Sequence, residues 1–372
     1  MRVLNEIQMK NITIIGAGNV GTAMLAMLAQ RSELLVTVYS TRKHLWNSEV
    51  NFRGIDSQGD WNAVTGFRVT DDLKSAVKSA DQIFVTLPSF MREQFIKQAS
   101  DWITPGTWII FVPGCGGVEF FCKKLIEKKC RVFGFDRVPA VSRLWEYGKN
   151  VEFEWKKKLQ IAEIGQGGSH IDDVCKQLSD ELSLDFIAIP NYLSITLTPA
   201  NPIMHPVRLY SMFKDKTKDS IIDHNILFYG EWDNESSRCL FQCDDELQEL
   251  CRAIGLKNIV FLREHYQSYT PESMTQKMHS IVSFKRVQSP LKENSKGELK
   301  IDFQSRYFVE DFPFGLFIIK GLADICNVKT PMMDRIIDWY CGIIEIPDAY
   351  YSIPYKNGIR TIGDVHKLYN ME

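Results

Sequence analysis

The first half of the chain alternates between short apolar runs and segments with helical periodicity. Residues 11–15 form a β-branched run, a glycine-containing turn follows, and residues 22–28 have the apolar spacing of a helix. A second apolar run at residues 34–39 predicts the strand to which this helix leads, and the three segments together predict a βαβ unit. Further strands of a parallel sheet are predicted at residues 82–87 and 107–112.

The pattern changes in the second half. Alternating residues 151–164 predict a β-hairpin, and residues 186–190 predict a last strand, so the sheet domain is expected to end near residue 190. Longer amphipathic segments then predict helices, with residues 290–300 as an exposed polar loop among them. The helices are expected at residues 245–254, 315–325 and 331–341.

These elements predict a chain of α/β plus all-α class. Residues 1–190 are expected to form a Rossmann-type, doubly wound sheet domain, and residues 191–372 are expected to form a helical domain.

The amino-acid composition argues against several classes of protein. The 372 residues are 45% apolar and 24% charged, with a net charge of -2, which argues against a nucleic-acid surface. No apolar run approaches the ~18 residues of a membrane helix, and no export signal is visible, so a soluble cytoplasmic protein is expected. Nine cysteines without a CxxC pair fit a reduced compartment. The nearest pair, Cys239 and Cys243, has no partner cluster, and no metal site is predicted.

A GxGxxG pattern follows the first predicted strand and opens the first predicted helix. In this context the glycines permit a tight turn, a close approach of the backbone to a pyrophosphate and the packing of helix on strand. The motif predicts a dinucleotide site. The residues expected to bind the cofactor here are Gly16, Gly18, Asn19, Val20 and Gly21.

The second predicted strand ends at Tyr39 without the carboxylate that NAD-selective domains use for the adenine ribose. Ser40, Thr41 and Arg42 follow it instead. Because a guanidinium pairs bidentately with phosphate, Thr41 and Arg42 favour NADP(H), with NAD(H) possible. The alternative is that Arg42 and Lys43 only solvate the start of a loop.

His205 stands between two prolines. Proline disfavours the helical conformation of the residue before it, so Asn201 and His205 are expected outside that region, with His205 at the start or break of a helix. Pockets of two-domain enzymes lie mostly at the domain junction, where this segment is predicted to fall. His205 is therefore a candidate catalytic base, although a histidine in an apolar region is more often a core or surface residue.

About a hundred residues later, Arg306 precedes Glu310 and Asp311. A carboxylate that accepts the imidazole Nδ1 proton fixes the tautomer and supports the protonated form. Either Glu310 or Asp311 is able to play this part. Arg306 is a candidate ligand for a substrate carboxylate, or a surface cation paired with Glu310.

Three motifs resemble the octopine/nopaline (opine) dehydrogenase family over nearly the whole chain. They are the glycine motif, Asn201-Pro202-Ile203-Met204-His205-Pro206, and Arg306-Tyr307-Phe308-Val309-Glu310-Asp311-Phe312-Pro313-Phe314-Gly315-Leu316. The resemblance implies an N-terminal Rossmann-type domain and a C-terminal helical domain. It also implies reductive condensation of an amino acid with a 2-oxo acid by NAD(P)H, or the reverse oxidation.

The resemblance implies a role for each candidate residue. His205 is implied as the general acid/base and Asp311, rather than Glu310, as its dyad partner. Arg306 is implied as the ligand of a substrate carboxylate, and Asn201 as a polar group near the nicotinamide and the substrate.

Two other functions stay open. One is a reductase of simple 2-oxo or 2-hydroxy acids, of the ketopantoate reductase or glycerol-3-phosphate dehydrogenase type, which usually brings a catalytic lysine. The other is a non-catalytic NADP(H) sensor.

Small-molecule amino acid and 2-oxo acid substrates are expected, with no nucleic acid or membrane partner and a possible homodimer. Tyr229, Trp232 and Tyr307 are candidates to line the substrate pocket or to be core aromatics.

Overall fold

The structure, a computed structural model, describes residues 9–55, 57–165, 170–257, 259–345 and 353–371. The chain forms two compact units, residues 1–195 and 196–372. Within the described ranges, every helix is too short or too polar to span a bilayer.

The first unit is built on strands. They are β1 (Lys10–Ile15), β2 (Leu34–Tyr39), β3 (Val50–Arg53), β4 (Asn62–Val64), β5 (Arg68–Thr70), β6 (Gln82–Val85), β7 (Trp108–Phe111), β8 (Arg131–Phe135), β9 (Ala140–Glu146), β10 (Asn150–Trp155), β11 (Lys158–Ile164) and β12 (Asp185–Ala188). The helices are α1 (Asn19–Leu28), α2 (Leu73–Lys78), α3 (Ser89–Ala99), α4 (Lys123–Glu127), α5 (Ile171–Leu182) and, where the chain passes to the second unit, α6 (Leu193–Thr196).

Eight strands form one sheet in the order β12-β11-β8-β7-β6-β1-β2-β5. All of its pairs are parallel except β8 with β11. The strand order reverses around β1, which pairs with β2 on one side and β6 on the other. The predicted Rossmann-type sheet is thereby confirmed.

The core of this sheet fixes the turn that follows β1. Ile12 and Ile14 of β1 are fully buried, and Met24, Leu25 and Leu28 of α1 belong to the same apolar cluster. Burying a side chain of this size contributes about 1.5–3 kcal/mol. Strand and helix are therefore held against each other, and the short turn between them has little freedom.

The hairpin predicted over residues 151–164 is wrong. β10 lies in a separate four-stranded sheet of order β4-β3-β10-β9, whereas β11 pairs with β8 and β12 in the large sheet. Alternation identified both strands, but two strands joined by a two-residue link pair with each other only if no longer-range partner offers better packing.

The second unit is mainly helical, as predicted. Its helices are α7 (Asn201–Phe213), α8 (Asn234–Ile254), α9 (Leu262–Tyr266), α10 (Pro271–Ser280), α11 (Arg306–Val309), α12 (Phe317–Ile325), α13 (Pro331–Ile344), α14 (Ile353–Lys356) and α15 (Ile362–Tyr369). A π-helical turn, Phe312–Leu316, joins α11 to α12. The loop expected at residues 290–300 is instead a small antiparallel hairpin of β13 (Leu291–Glu293) and β14 (Leu299–Ile301).

The prediction for the segment around His205 is also wrong. Asn201 and His205 are both helical, and α7 continues through Pro206. Pro202 occupies the second position of the helix, where a missing N–H costs nothing. Pro206 lies inside the helix, where a proline usually kinks or breaks it. Most of α7 is buried, from Pro202 through Leu209, so packing outweighs the conformational preference of residues before proline.

Candidate active site

The turn between β1 and α1 has the geometry of a phosphate cradle. Gly16 has φ +110°, a conformation that side chains rarely adopt. A Cβ on Gly21 would lie 1.9 Å from the carbonyl oxygen of Gly16. Thr86, which follows β6, donates its hydroxyl to the same carbonyl at 2.8 Å. The chain is therefore so close-packed here that only glycine fits at both ends of the turn.

Gly18 differs from the two other glycines because it faces open space. No atom lies within 4 Å of the position that its Cβ would take. It is also the N-cap of α1, and no side chain caps the backbone amides there. Free amides at a helix N-terminus bind phosphate groups, and the residues present fit the pyrophosphate of a dinucleotide.

The remaining residues of the motif support the turn. The Asn19 side-chain oxygen accepts a hydrogen bond from the Leu144 N–H at 3.0 Å, which ties the start of α1 to β9. Val20 is half-buried against the core cluster. Their assignment as cofactor ligands stays a prediction.

Arg42 is held in place by an aromatic ring that the sequence did not point to. Its guanidinium carbon lies 3.7 Å from the centroid of the Tyr147 ring. The Tyr147 hydroxyl is 2.8 Å from the hydroxyl of buried Ser40, which accepts the Arg42 N–H at 3.1 Å. Thr41 and Arg42 are both exposed directly after β2. This end of β2 presents a cation and hydroxyls.

In the second unit, His205 and Asp311 are in direct contact. The Nδ1 atom of His205 is 2.7 Å from Asp311 Oδ2. The side chains are only 10% and 15% exposed. Burial raises the pKa of Asp311, while the neighbouring imidazole opposes that shift by favouring the carboxylate. A buried carboxylate on Nδ1 orients the ring and directs Nε2 away from it.

The outward nitrogen of the imidazole also has a partner. His205 Nε2 is 2.9 Å from the hydroxyl of Tyr229. The imidazole packs against further aromatic rings, with the Tyr307 centroid at 4.6 Å and the Phe228 centroid at 5.4 Å. Tyr229 and Tyr307, named from the sequence as pocket candidates, thus adjoin the imidazole, while Trp232 stacks beside Tyr229.

Arg306 does not contact the imidazole pair. Its Nε and Nη2 atoms lie 2.6 and 2.5 Å from Glu310 Oε2, and its side chain is 68% exposed. In this structure Arg306 is therefore a surface cation paired with Glu310, which is one of the two possibilities that the sequence left open. The guanidinium still lies near enough to Asp311 to favour its charged form.

Asn201 is exposed at the first position of α7. Residues four apart on a helix share a face, so Asn201 lies one turn before His205 on the same side of α7. The structure thus brings the two residues to one face without bonding them to each other.

Sequence reasoning missed Tyr147, Thr86 and Arg208. Arg208 is buried on α7, and its Nε and Nη2 donate to the carbonyls of Phe228 and Glu231 at 2.7 Å each. Burial lowers the pKa of Arg208 to about 10. An arginine in a helical segment carries no local sign of such a role, because its partners are backbone carbonyls some twenty residues away.

Two family models match the chain. Residues 188–344 match the model described as NAD/NADP octopine/nopaline dehydrogenase, alpha-helical domain. Residues 12–133 match the model of ketopantoate reductase PanE/ApbA. The second match lies within the first unit and includes the turn between β1 and α1.

Relatives match along most of their length. An opine dehydrogenase of Haliotis discus hannai is 28% identical and covers 89% of each chain. A tauropine dehydrogenase of Arabella iricolor is 23% identical, covering 88% of this chain and 90% of its own. The solved structure of octopine dehydrogenase with NADH and L-arginine has a TM-score of 0.82 at 22% identity, with 98% of each chain covered. The fold of that structure is therefore the fold of this chain.

Proposed function

The chain belongs to the octopine/nopaline dehydrogenase family, and on that basis we propose that it joins an amino acid to a 2-oxo acid by NAD(P)H-dependent reductive condensation, or oxidises the product in reverse. It is an oxidoreductase acting on CH–NH bonds. The product is a secondary amine dicarboxylate. The observation that supports the proposal best is the buried pair of His205 and Asp311, joined at 2.7 Å.

In this proposal His205 and Asp311 act as an acid-base dyad. The bound dinucleotide supplies the hydride. In the reductive direction the protonated imidazole provides the proton that lets the oxygen of the oxo acid leave as water. Asp311 stabilises the imidazolium and fixes its tautomer, because a buried carboxylate that accepts the Nδ1 proton does both.

Arg306 and Asn201 are proposed to orient the substrates. A guanidinium grips a carboxylate bidentately, and Arg306 is exposed enough to exchange Glu310 for a substrate carboxylate. Asn201 offers an amide on the face of α7 that carries His205. Fixing the reacting carbon in this way contributes several kcal/mol to catalysis through orientation.

We propose NADP(H) as the preferred cofactor. Its support is the exposed Arg42 after β2, together with a strand end that lacks a carboxylate. A 2′-phosphate matches the guanidinium fork, whereas the ribose hydroxyls of NAD(H) prefer an acidic partner.

A coupled screen tests the function. Amino acids are combined with pyruvate, glyoxylate and 2-oxoglutarate, and the oxidation of NADH and NADPH is followed separately. We expect turnover that requires both the amine and the oxo acid and that is faster with NADPH. Equal turnover without any amine would favour a simple 2-oxo acid reductase, the alternative that the match at residues 12–133 supports. Tight binding without turnover would favour a sensor.

The dyad is tested by His205→Asn with His224→Asn as the matched control. We expect His205→Asn to lower kcat by about 10²- to 10⁴-fold, as is usual for a lost general acid/base, without changing nucleotide affinity. His224 is 62% exposed and pairs with Glu231, so its variant is expected to keep the native kcat. Near-native turnover of His205→Asn would remove the dyad from the mechanism.

A further inference from the structure

The nitrogen through which His205 would exchange a proton is not open to a substrate. His205 Nδ1 lies 2.7 Å from Asp311 Oδ2, and Nε2 lies 2.9 Å from the Tyr229 hydroxyl. A proton leaving the imidazole by Nε2 therefore meets the phenol oxygen first.

The ring of Tyr229 is fixed by its neighbours. It stacks on Phe284 with a centroid distance of 4.0 Å and an interplanar angle of 15°, and on Trp232 at 6.0 Å and 14°. Arg208 holds the carbonyls of Phe228 and Glu231 on both sides of it. Moving the hydroxyl off Nε2 would break the stacking or these hydrogen bonds.

The surroundings keep Tyr229 a neutral phenol. The residue is 5% exposed, and burial raises its pKa well above the usual value. Besides His205, the ionisable groups that act on it are Tyr307, Tyr266 and Asp311, which all oppose its ionisation. A neutral phenol donates one proton while it accepts another, and it does not compete with Asp311 for the charge of the imidazolium.

We propose that Tyr229 is a further catalytic residue, a proton relay between His205 and the reacting oxygen or nitrogen of the substrate. This inference rests on the proposed function. The amine first adds to the oxo carbon, which leaves a hydroxyl on that carbon. Tyr229 O–H donates its proton to this hydroxyl, the C–O bond breaks, and water departs with the electron pair. His205 Nε2–H returns a proton to the Tyr229 oxygen.

The relay balances in protons and electrons. The imidazolium becomes a neutral imidazole, the phenol is unchanged, and the substrate becomes a cationic imine. The imine carbon is then reduced by the hydride, and the nicotinamide is oxidised. The one proton consumed in the overall reaction comes from solvent and restores the imidazolium.

Tyr229→Phe removes the hydroxyl and keeps the stacking ring. We expect kcat to fall by about 10²-fold or more, toward the value of His205→Asn, with nucleotide affinity unchanged. Because both residues act in the same proton relay, the double variant is expected to be no slower than His205→Asn alone. Tyr340→Phe is the control, since that buried hydroxyl donates to the carbonyl of Phe308 and its loss is expected to leave kcat within about threefold of native.

A proton inventory of the native enzyme in mixed H2O and D2O gives an independent test. Two protons moving together predict a curved dependence of kcat on the deuterium fraction, and one proton predicts a straight line. Native-like kcat in Tyr229→Phe, or a straight line for the native enzyme, would overturn the relay. If the native enzyme shows no amine-dependent turnover, the proposed function itself fails, whereas amine-dependent turnover with a straight line is a failure of the relay alone.

Discussion

Glu310 and Asp311 are neighbours in sequence that bind different partners. Glu310 pairs with Arg306 one helical turn earlier, and Asp311 reaches His205. Successive residues of a helix point about 100° apart, so neighbouring carboxylates between the end of α11 at Val309 and the π-helical turn at Phe312 point in different directions. Two carboxylates with the same chemistry thus face different surroundings.

Replacing Arg306 with lysine tests its proposed part in binding the 2-oxo acid. A lysine keeps the charge but loses the bidentate fork, and a charge-assisted hydrogen bond contributes about 1.5–3 kcal/mol. We expect the KM of the oxo acid to rise about 10- to 100-fold, with a smaller change in kcat.

The control for this variant is Glu310→Gln, which weakens the resting partner of Arg306 and should not raise that KM. Steady-state kinetics with each carboxylate substrate decide the matter. An unchanged KM for all of them would take Arg306 out of the binding role.

At the scale of elements, the sequence predicted the strands and turns that are determined by residues close together in the chain. Apolar runs predicted β1, β2, β6 and β7, and glycine spacing predicted the turn before α1, because both depend on neighbours in sequence. The separation of β10 and β11 into two sheets escaped prediction, since β10 pairs with β3 and β11 with β8, strands that lie well before them in the chain. The helix through Pro206 also escaped it, because tertiary packing overrode a local preference.

The glycine turn gives a pair of variants with opposite expectations. Gly21→Ala puts a Cβ 1.9 Å from the Gly16 carbonyl oxygen, and such overpacking costs about 1–3 kcal/mol of unfolding free energy. In Gly18→Ala the new Cβ meets no atom, and residue 18 has φ −84°. The free energy of unfolding is therefore expected to change by less than about 1 kcal/mol.

Cofactor binding is expected to separate the two variants. A pyrophosphate bound to the amides of α1 would need the open space that a Cβ at position 18 would fill, so Gly18→Ala is expected to lose nucleotide affinity while keeping its thermal stability. Thermal unfolding with and without NADPH, together with calorimetric titration, measures both effects. A Gly18→Ala protein with native affinity would contradict the cradle.

At the scale of the whole molecule, the candidate site could be predicted only in part. His205 and Asp311 are 106 residues apart, and their chemistry alone allowed Glu310 in place of Asp311. Motif resemblance indicated the choice. Tyr229 was named from the sequence only as a pocket or core aromatic, and Arg208 and Tyr147 carry no local signal, because their contacts form only when distant segments pack.

Stability is expected to depend on pH through Lys156. Burial and nearby Arg137 lower its pKa to about 8, against the opposing charge of Asp136. Between about pH 8 and 10 the folded chain therefore binds fewer protons than the unfolded chain, and stability rises with pH through this group.

Lys156→Met removes this dependence. Relative to the native protein, the variant is expected to be more stable at pH 7, with the difference shrinking as the pH rises above 8. Denaturant unfolding at a series of pH values measures it. Lys157→Met at the exposed neighbouring position is the control, and a native-minus-variant difference that stays constant with pH for Lys156→Met would contradict the expectation.

The stacking of Arg42 on Tyr147 has a consequence for entropy. A free arginine side chain has about 2 kcal/mol of rotamer entropy to lose on binding. Arg42 has already lost part of it, because the ring lies 3.7 Å from its guanidinium carbon. A phosphate that arrives there meets an ordered side chain, and this preorganisation increases affinity without any new contact. Under the proposed preference for NADP(H), discrimination between the two nicotinamide nucleotides would depend on how firmly Tyr147 restrains Arg42 as well as on the charge of Arg42.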